Sequence, residues 1–249
     1  MTVQLSQKHK KITAVSDKDF YKFSMKQVKE TLSPDYLKFL KESGYVTKLR
    51  KASGLMIAKR ILKTDDEIRK LINKNNIEAY IEDNKNYIVY INQTSGRRLV
   101  NLLGYQLPTA GIMYKLFIPY LKQSAKLGNK ETKATLNEMT NEQTGKAEWL
   151  EDLILDNNKV KIGNKKRRIS LSQRDGRYDI SALNEFGHPD PVGEFGNPYQ
   201  VENYGEFYYF FIRKKELAAI RGRKAGGLSL HEGPFAYGED LGVRFAKFF

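Results

Sequence analysis

The stretch that we expect to organise the fold runs from Leu217 to Phe249 and reads LAAIRGRKAGGLSLHEGPFAYGEDLGVRFAKFF. Its first part, Leu217–Gly222, and its closing part, Leu241–Lys247, are rich in residues typical of strands. Between them lies a chemically mixed run that fits no catalytic pattern. We expect this run to be an exposed contact surface held between two buried strands. Its candidate ligand-binding residues are Arg223, Lys224, Ser229, His231, Glu232, Phe235, Tyr237, Glu239 and Asp240.

The composition excludes several classes of protein and site. A hydrophobic content of 40% with 12% aromatic residues excludes general disorder. No cysteine is present, which excludes disulfides, thiolate metal sites and cysteine nucleophiles. The three histidines lie far apart in the chain, so no zinc site is expected. No apolar run is long enough for a transmembrane helix, and the first twenty residues lack the apolar centre of a signal peptide.

The net charge of +14 is concentrated in the N-terminal part, since the first 100 residues carry +10 of it. Such a surface attracts nucleic acid, an anionic surface or an acidic protein, although a lysine-rich solvated surface explains it equally well. We expect residues 1–74 to be a basic helical segment. Asp17–Lys29 shows helical spacing, Ser33-Pro34 is typical of a helix start, and Thr64–Glu67 resembles a capping box.

Further along, Ala110 to Leu127 predicts a long helix with Thr109 as its N-cap. Trp149 lies in an apolar run and is interpreted as a core residue. A hairpin with a basic tip, Gly163-Asn164-Lys165-Lys166, is expected after it. His188, in the sequence His-Pro-Asp-Pro, is interpreted as a hydrogen-bonded structural residue of a proline-rich loop, the alternative being a catalytic or metal element.

Enzyme motifs are absent from the sequence: it contains neither a nucleophile elbow nor a phosphate-binding loop. We therefore expect a binding protein without a catalytic site, cofactor or metal. Three alternatives stay open: a nucleic-acid-binding protein and a metal-dependent enzyme, both using the basic N-terminal half, and a structural subunit that docks through its N-terminal helices.

Four segments in order resemble formylglycine-generating-enzyme-type domains: Tyr105–Thr109 is similar to "RLPTEAEWE", Gly145–Trp149 to "GNVWEW", Arg221-Gly222 to "RGGSW" and Gly242–Lys247 to "GFRLAR". The resemblance covers about residues 75–249. It implies an α+β, C-type-lectin-like fold with twisted antiparallel sheets and flanking helices, preceded here by the basic segment 1–74. The oxidase activity of those enzymes is not implied, because their catalytic cysteines have no counterpart in this chain. Calcium-dependent sugar binding is not implied either, because the calcium-binding triplets of lectins are missing.

The chain also resembles a second branch of this fold, the variable proteins of diversity-generating retroelements. Those proteins end in a similar strand and carry a hypervariable run directly before it. The resemblance implies a non-enzymatic, receptor-type protein whose variable region, about residues 220–241, binds a macromolecular ligand such as a protein. It further implies either a virion component, as in a phage, or an intracellular binder.

Overall fold

The computed structural model describes residues 16–46, 51–81, 88, 91–140, 147–155, 159–171, 176–178, 183–188, 207–209, 217–222, 228–232 and 241–249. This part of the chain is a mixed α+β fold, as the sequence predicts. Its α-helices are α1 (Met25–Thr31), α2 (Pro34–Glu42), α3 (Asp66–Lys74), α4 (Gln93–Leu102), α5 (Ile118–Lys126) and α6 (Lys130–Thr140). A π-helical segment, Ile112–Phe117, leads directly into α5.

The strands form two sheets. They are β1 (Phe20–Ser24), β2 (Gly54–Ala58), β3 (Ala147–Leu155), β4 (Lys159–Ile162), β5 (Lys165–Arg168), β6 (Gly176–Tyr178), β7 (Phe207–Tyr209), β8 (Leu217–Gly222), β9 (Leu228–Glu232), β10 (Leu241–Gly242) and β11 (Ala246–Phe248). The smaller sheet is antiparallel, in the order β1-β2-β11. The larger sheet has the order β5-β4-β3-β8-β9-β7-β6, with β10 added beside β3. Its pairs are antiparallel except β7 with β9 and β10 with β3.

Strand β3 is buried on both faces and separates two hydrophobic cores. Leu150 and Ile154 belong to the first core, which includes α2 and the π-helical segment. Trp149 and Leu153 belong to the second core, which includes α3 and α4. Because side chains alternate along a strand, each face of β3 serves one core. Trp149 is fully buried, so its interpretation as a core residue is confirmed.

The helix starts follow from local hydrogen bonds. The Ser33 side chain accepts from the Tyr36 N–H, and Pro34 follows it, so the predicted start of α2 is confirmed. Helix α3 begins one residue later than its capping-box pattern suggests, because Asp65 rather than Thr64 accepts from Ile68 N–H at 2.8 Å. Thr109 accepts from Ile112 N–H at 3.2 Å, the predicted capping contact of the long helical stretch.

The N-terminal segment packs against the C-terminal end of the chain. The helix expected over Asp17–Lys29 is wrong in its first half, where Phe20–Ser24 is strand β1 and only Met25 onward is helical. Strand β2 lies between β1 and β11, and Phe20 contacts the Phe245 ring edge to face at 5.6 Å. Phe20 and Phe23 have helical spacing, but their segment forms a strand because it pairs with β2. None of the described helices is both long and apolar enough to cross a bilayer.

Three buried tyrosines make the fold sensitive to alkaline pH. Burial, followed by nearby carboxylates, raises the pKa of Tyr36, Tyr45 and Tyr114 well above the usual range. In the unfolded chain a tyrosine ionises near pH 10, whereas these three stay protonated to higher pH in the folded protein. The folded state is therefore fully stable below about pH 10 and loses stability as the pH rises further. The loss is about 1.4 kcal/mol per pH unit for each such tyrosine.

We expect the free energy of unfolding to fall steeply above about pH 10, with the absorbance of these tyrosinates appearing only as the protein unfolds. Tyr45→Phe should make that fall shallower. It should also cost about 1 kcal/mol at neutral pH, because Tyr45 donates to the Leu107 carbonyl at 2.7 Å. The check is denaturant unfolding at a series of pH values. Ionisation of all fifteen tyrosines in the folded protein would contradict this expectation.

Candidate binding face and its anchor on strand β3

A buried ion pair joins the closing strand to β3. The Arg244 guanidinium donates from Nε to Glu148 Oε2 at 2.7 Å and from Nη2 to Glu148 Oε1 at 2.9 Å. Its Nη1 donates to the Ala58 carbonyl oxygen at 2.6 Å, at the end of β2. Arg244 is fully buried and Glu148 is 2% exposed. One guanidinium therefore connects the C-terminal residues, β3 and the smaller sheet.

Glu148 keeps the buried guanidinium of Arg244 protonated. Burial alone would lower the pKa of Arg244, but the charge and hydrogen bonds of Glu148 outweigh burial, and the pKa is raised. The guanidinium also lies over the Phe117 ring, 5.6 Å from its centroid. Two-point hydrogen bonding to a carboxylate is a contact that arginine makes and lysine does not.

Further contacts to β3 come from α4 and from Ile91, which lies just before that helix. Glu151 Oε2 accepts from Arg97 Nε at 3.0 Å, and the Trp149 indole N–H donates to the Ile91 carbonyl at 2.7 Å. The side-chain amide of Gln93 donates to the Leu150 carbonyl at 2.5 Å. These contacts fall where β3 bulges away from β8, between Trp149 and Ile154. The Gln93 bond satisfies a β3 carbonyl that the bulge leaves without a strand partner.

Asp152 and His188 form a second buried polar contact. Asp152 Oδ2 lies 2.7 Å from His188 Nε2, and Asp152 Oδ1 accepts from the Ala110 N–H at 2.7 Å. Both side chains are 1% exposed, so the hydrogen bond expected for His188 is confirmed. Gly187 has φ +79°, and a Cβ there would lie 2.5 Å from the Ala110 carbonyl carbon. Only glycine lets the chain approach Ala110 closely enough to place His188 on Asp152.

The two ends of the predicted binding run are fixed to the same point of β3. Ile220 of β8 pairs with Glu148 in antiparallel register, and Gly242 of β10 pairs with Glu148 in parallel register. The strand predicted to precede the run, Leu217–Gly222, is therefore confirmed as β8. The closing strand is split into β10 and β11, and Val243 and Arg244 between them are buried, at 1% and 0% exposure.

Three of the nine candidate binding residues, Ser229, His231 and Glu232, lie on β9. The pairs Ala219↔Glu232 and Ile220↔Leu230 place His231 at a β-bulge, opposite no residue of β8. Bulges are common beside functional sites. The other six candidates, Arg223, Lys224, Phe235, Tyr237, Glu239 and Asp240, lie outside the described residues.

A cavity of about 840 Å³ lies between the residues that follow β2 and helix α6. The charged residues lining it are Lys18, Asp19, Lys59, Arg60, Lys63, Asp65, Lys130, Glu131 and Glu138. Lys59 and Glu131 pair across it at 2.9 Å. Burial raises the pKa of Glu138, against the opposing effect of Arg244. No sequence motif indicated this cavity, because its walls come from segments about 70 residues apart in the chain.

The sequence analysis also missed the roles of Glu148 and Arg244. A signal was available, since each is a charged residue next to large apolar neighbours, Trp149 for one and Val243 and Phe245 for the other. Buried charges in such surroundings are nearly always paired.

Within the part of the chain that the structure describes, no group of three His, Asp or Glu residues could hold a metal ion. No family model, curated protein or solved structure matches the chain.

Breaking the Glu148–Arg244 pair should cost far more than breaking an exposed pair. We expect Arg244→Met and Glu148→Gln each to lower the free energy of unfolding by about 3–5 kcal/mol, because each leaves a buried group without its partner. The double variant should cost clearly less than the sum of the two. Urea denaturation of the four proteins at neutral pH measures this coupling.

The matched control is Lys26→Met, which breaks the exposed pair that Lys26 makes with Glu30 at 3.9 Å. It should change the free energy of unfolding by less than about 0.5 kcal/mol. Additive effects of the two buried substitutions would show that Glu148 and Arg244 do not stabilise the fold as a pair.

Proposed function

We propose that the protein is a non-enzymatic, receptor-type binding protein whose ligand-binding face is formed by the run from Arg223 to Asp240. The observation that carries this proposal is the anchoring of both ends of the run on Glu148 of β3, through Ile220 and Gly242. The side chain of Glu148 is held in place by its hydrogen-bonded ion pair with Arg244. The chain therefore enters the run and comes back from it at the same residue of the core, Glu148.

Such an anchored run can change its side chains at little cost to the fold. Binding groups are usually carried by segments that a rigid scaffold positions, and Ser229, His231 and Glu232 lie on β9, whose backbone pairs with both β7 and β8. The run offers Phe235 and Tyr237, and aromatic side chains give large contact area for a small loss of conformational entropy. Its charged residues have both signs, which suits a protein ligand better than a polyanion.

The C-type-lectin-like fold is part of the same proposal. The four segments that resemble formylglycine-generating-enzyme-type domains meet around β3. Gln106 and Ala246 exchange backbone hydrogen bonds of 2.8 and 2.9 Å, and Glu151 N–H donates to the Pro108 carbonyl at 2.9 Å. Gly242 of the last segment pairs with Glu148 of the second, and Arg221-Gly222 directly follows Ile220, which also pairs with Glu148. Convergence of four sequence-distant segments supports the proposed relationship, and with it hypervariability of the run from Arg223 to Asp240.

A combinatorial library tests whether the run is a binding face. All nine candidate positions are randomised together, and folded members are selected for binding to an unrelated, stable test protein. Because the proposal places all nine positions on an exposed face, we expect most members to keep the unfolding midpoint of the parent within a few degrees. We also expect binders with micromolar or better affinity.

The control library randomises nine exposed positions on α1, α2 and α6: Lys26, Lys29, Glu30, Lys38, Lys41, Lys130, Lys133, Ala134 and Asn137. Binders should be at least about tenfold rarer there, because side chains spread over separate helices do not converge on one ligand. Loss of folding in most members of the first library would show that the run is structural. Folded members without any binders would overturn the binding function.

A further inference from the structure

The β4–β5 hairpin carries an unusual arrangement of charge that the proposed binding face does not use. Its sequence, Lys159 to Arg168, reads KVKIGNKKRR and contains six basic residues and no acidic one. The register pairs Lys159 with Arg168 and Lys161 with Lys166. Directly opposed residues share one face of an antiparallel pair, so these four cations lie on the same face of the hairpin.

The opposite face of the hairpin fixes it to the core. Val160 and Ile162 are fully buried. Arg167 stacks over the Phe186 ring at 5.4 Å and pairs with Glu185 at 3.4 Å. At the turn, the Asn164 N–H donates to the Ser43 carbonyl at 3.1 Å. The hairpin is therefore held at its turn and along its inner face, which leaves the four-cation face at a fixed orientation.

The four-cation face weakens the fold. Cβ atoms of directly opposed residues are about 5 Å apart, and like charges at that distance repel. The two pairs follow each other along the ribbon at about 7 Å. Among the described residues none of the four makes an ion pair. Lysine on an edge strand protects against aggregation, but glutamate opposite lysine would protect equally well and would also stabilise the hairpin.

We propose that this face binds the phosphate backbone of double-stranded DNA without sequence preference. Strand β4 pairs with β3 and the inner face of the hairpin packs on the core, so a duplex would lie against the outer face without taking the hairpin into a groove. Lysine and arginine in a row neutralise phosphates and release counterions. The high net charge of +14 draws the duplex towards the protein at long range.

The composition of the face favours a duplex over two other polyanions. None of its four positions carries an aromatic side chain, and binding of single strands depends on bases stacking on such rings. Neither does any of the four carry an apolar side chain that could enter a bilayer, so attachment to a membrane surface would depend on charge alone. Arg168 and Lys166 are exposed, while Lys159 and Lys161 are half-buried, so the outer strand makes the first contact.

The experiment uses the full chain and a fluorescent DNA duplex of mixed sequence, titrated over a series of salt concentrations. The test variant, Lys159→Glu/Lys161→Glu, replaces both like-charge pairs by opposite-charge pairs. We expect its affinity for the duplex to fall at least about tenfold, and the slope of log affinity against log salt to fall by at least about 2 from a parental value of roughly 3–4. Its unfolding midpoint should rise by about 2 °C, because the cross-strand repulsion is removed.

Lys133→Glu, combined with Lys126→Glu, gives the same change in net charge on exposed helical positions and is the control. It should change duplex affinity less than about threefold, since the long-range field alone is altered. Equal loss in the control and the test variant would overturn the proposal. So would absence of duplex binding by the parent protein, or charge-dependent binding to phosphatidylserine vesicles or polyglutamate in its place.

Discussion

The buried pair of Glu148 and Arg244 is the interaction on which the rest of the structure depends. A guanidinium and a carboxylate lose several kcal/mol each on leaving water, and their attraction compensates only when the geometry is good and the remaining hydrogen bonds are made. Here both guanidinium edges are used, by Glu148 and by the Ala58 carbonyl. Since Ala58 ends β2, the pair fixes the smaller sheet and β3 to the same C-terminal residues.

The position of this pair is compatible with the proposed variable surface, because it fixes the two ends of the run to the core. Glu148 is the residue of β3 at which both β8 and β10 pair. Whatever side chains occupy residues 223–240, the chain must return to Leu241 so that Arg244 reaches its partner.

The two proposed surfaces use different parts of one sheet. Strand β9 is four strands from β5, about 19 Å at normal strand spacing, so a protein ligand and a DNA duplex need not compete.

Sequence patterns predicted local features well. The mixed α+β class, the cap of α2 at Ser33, the burial of Trp149 and the hydrogen-bonded role of His188 follow from residue types and their spacing, and the structure confirms them. These features depend on contacts within a few residues or on the general preference of a side chain for the core. The same patterns failed at Phe20–Ser24, where a sheet partner more than thirty residues away decided the conformation.

The candidate site was predictable only as a stretch between two strands. Nothing in a linear pattern shows that β8 and β10 meet at one residue, or that a bulge falls at His231. Both depend on strand register, which is set by pairing of distant segments. The cation pairs of the β4–β5 hairpin illustrate the same limit. The basic tip was evident in the sequence, whereas the opposition of Lys161 and Lys166 required the register.

The proposed function requires that the run from Arg223 to Asp240 varies while its anchors, Glu148, Val243 and Arg244, do not. The most direct measurement is the sequence of the DNA around the coding region of this chain. The account predicts a near-copy of the 3′ coding segment beside a reverse-transcriptase gene, differing only at adenines and only in codons for the run. Differences spread equally over the codons of Glu148, Val243 and Arg244, or no such copy, would contradict it.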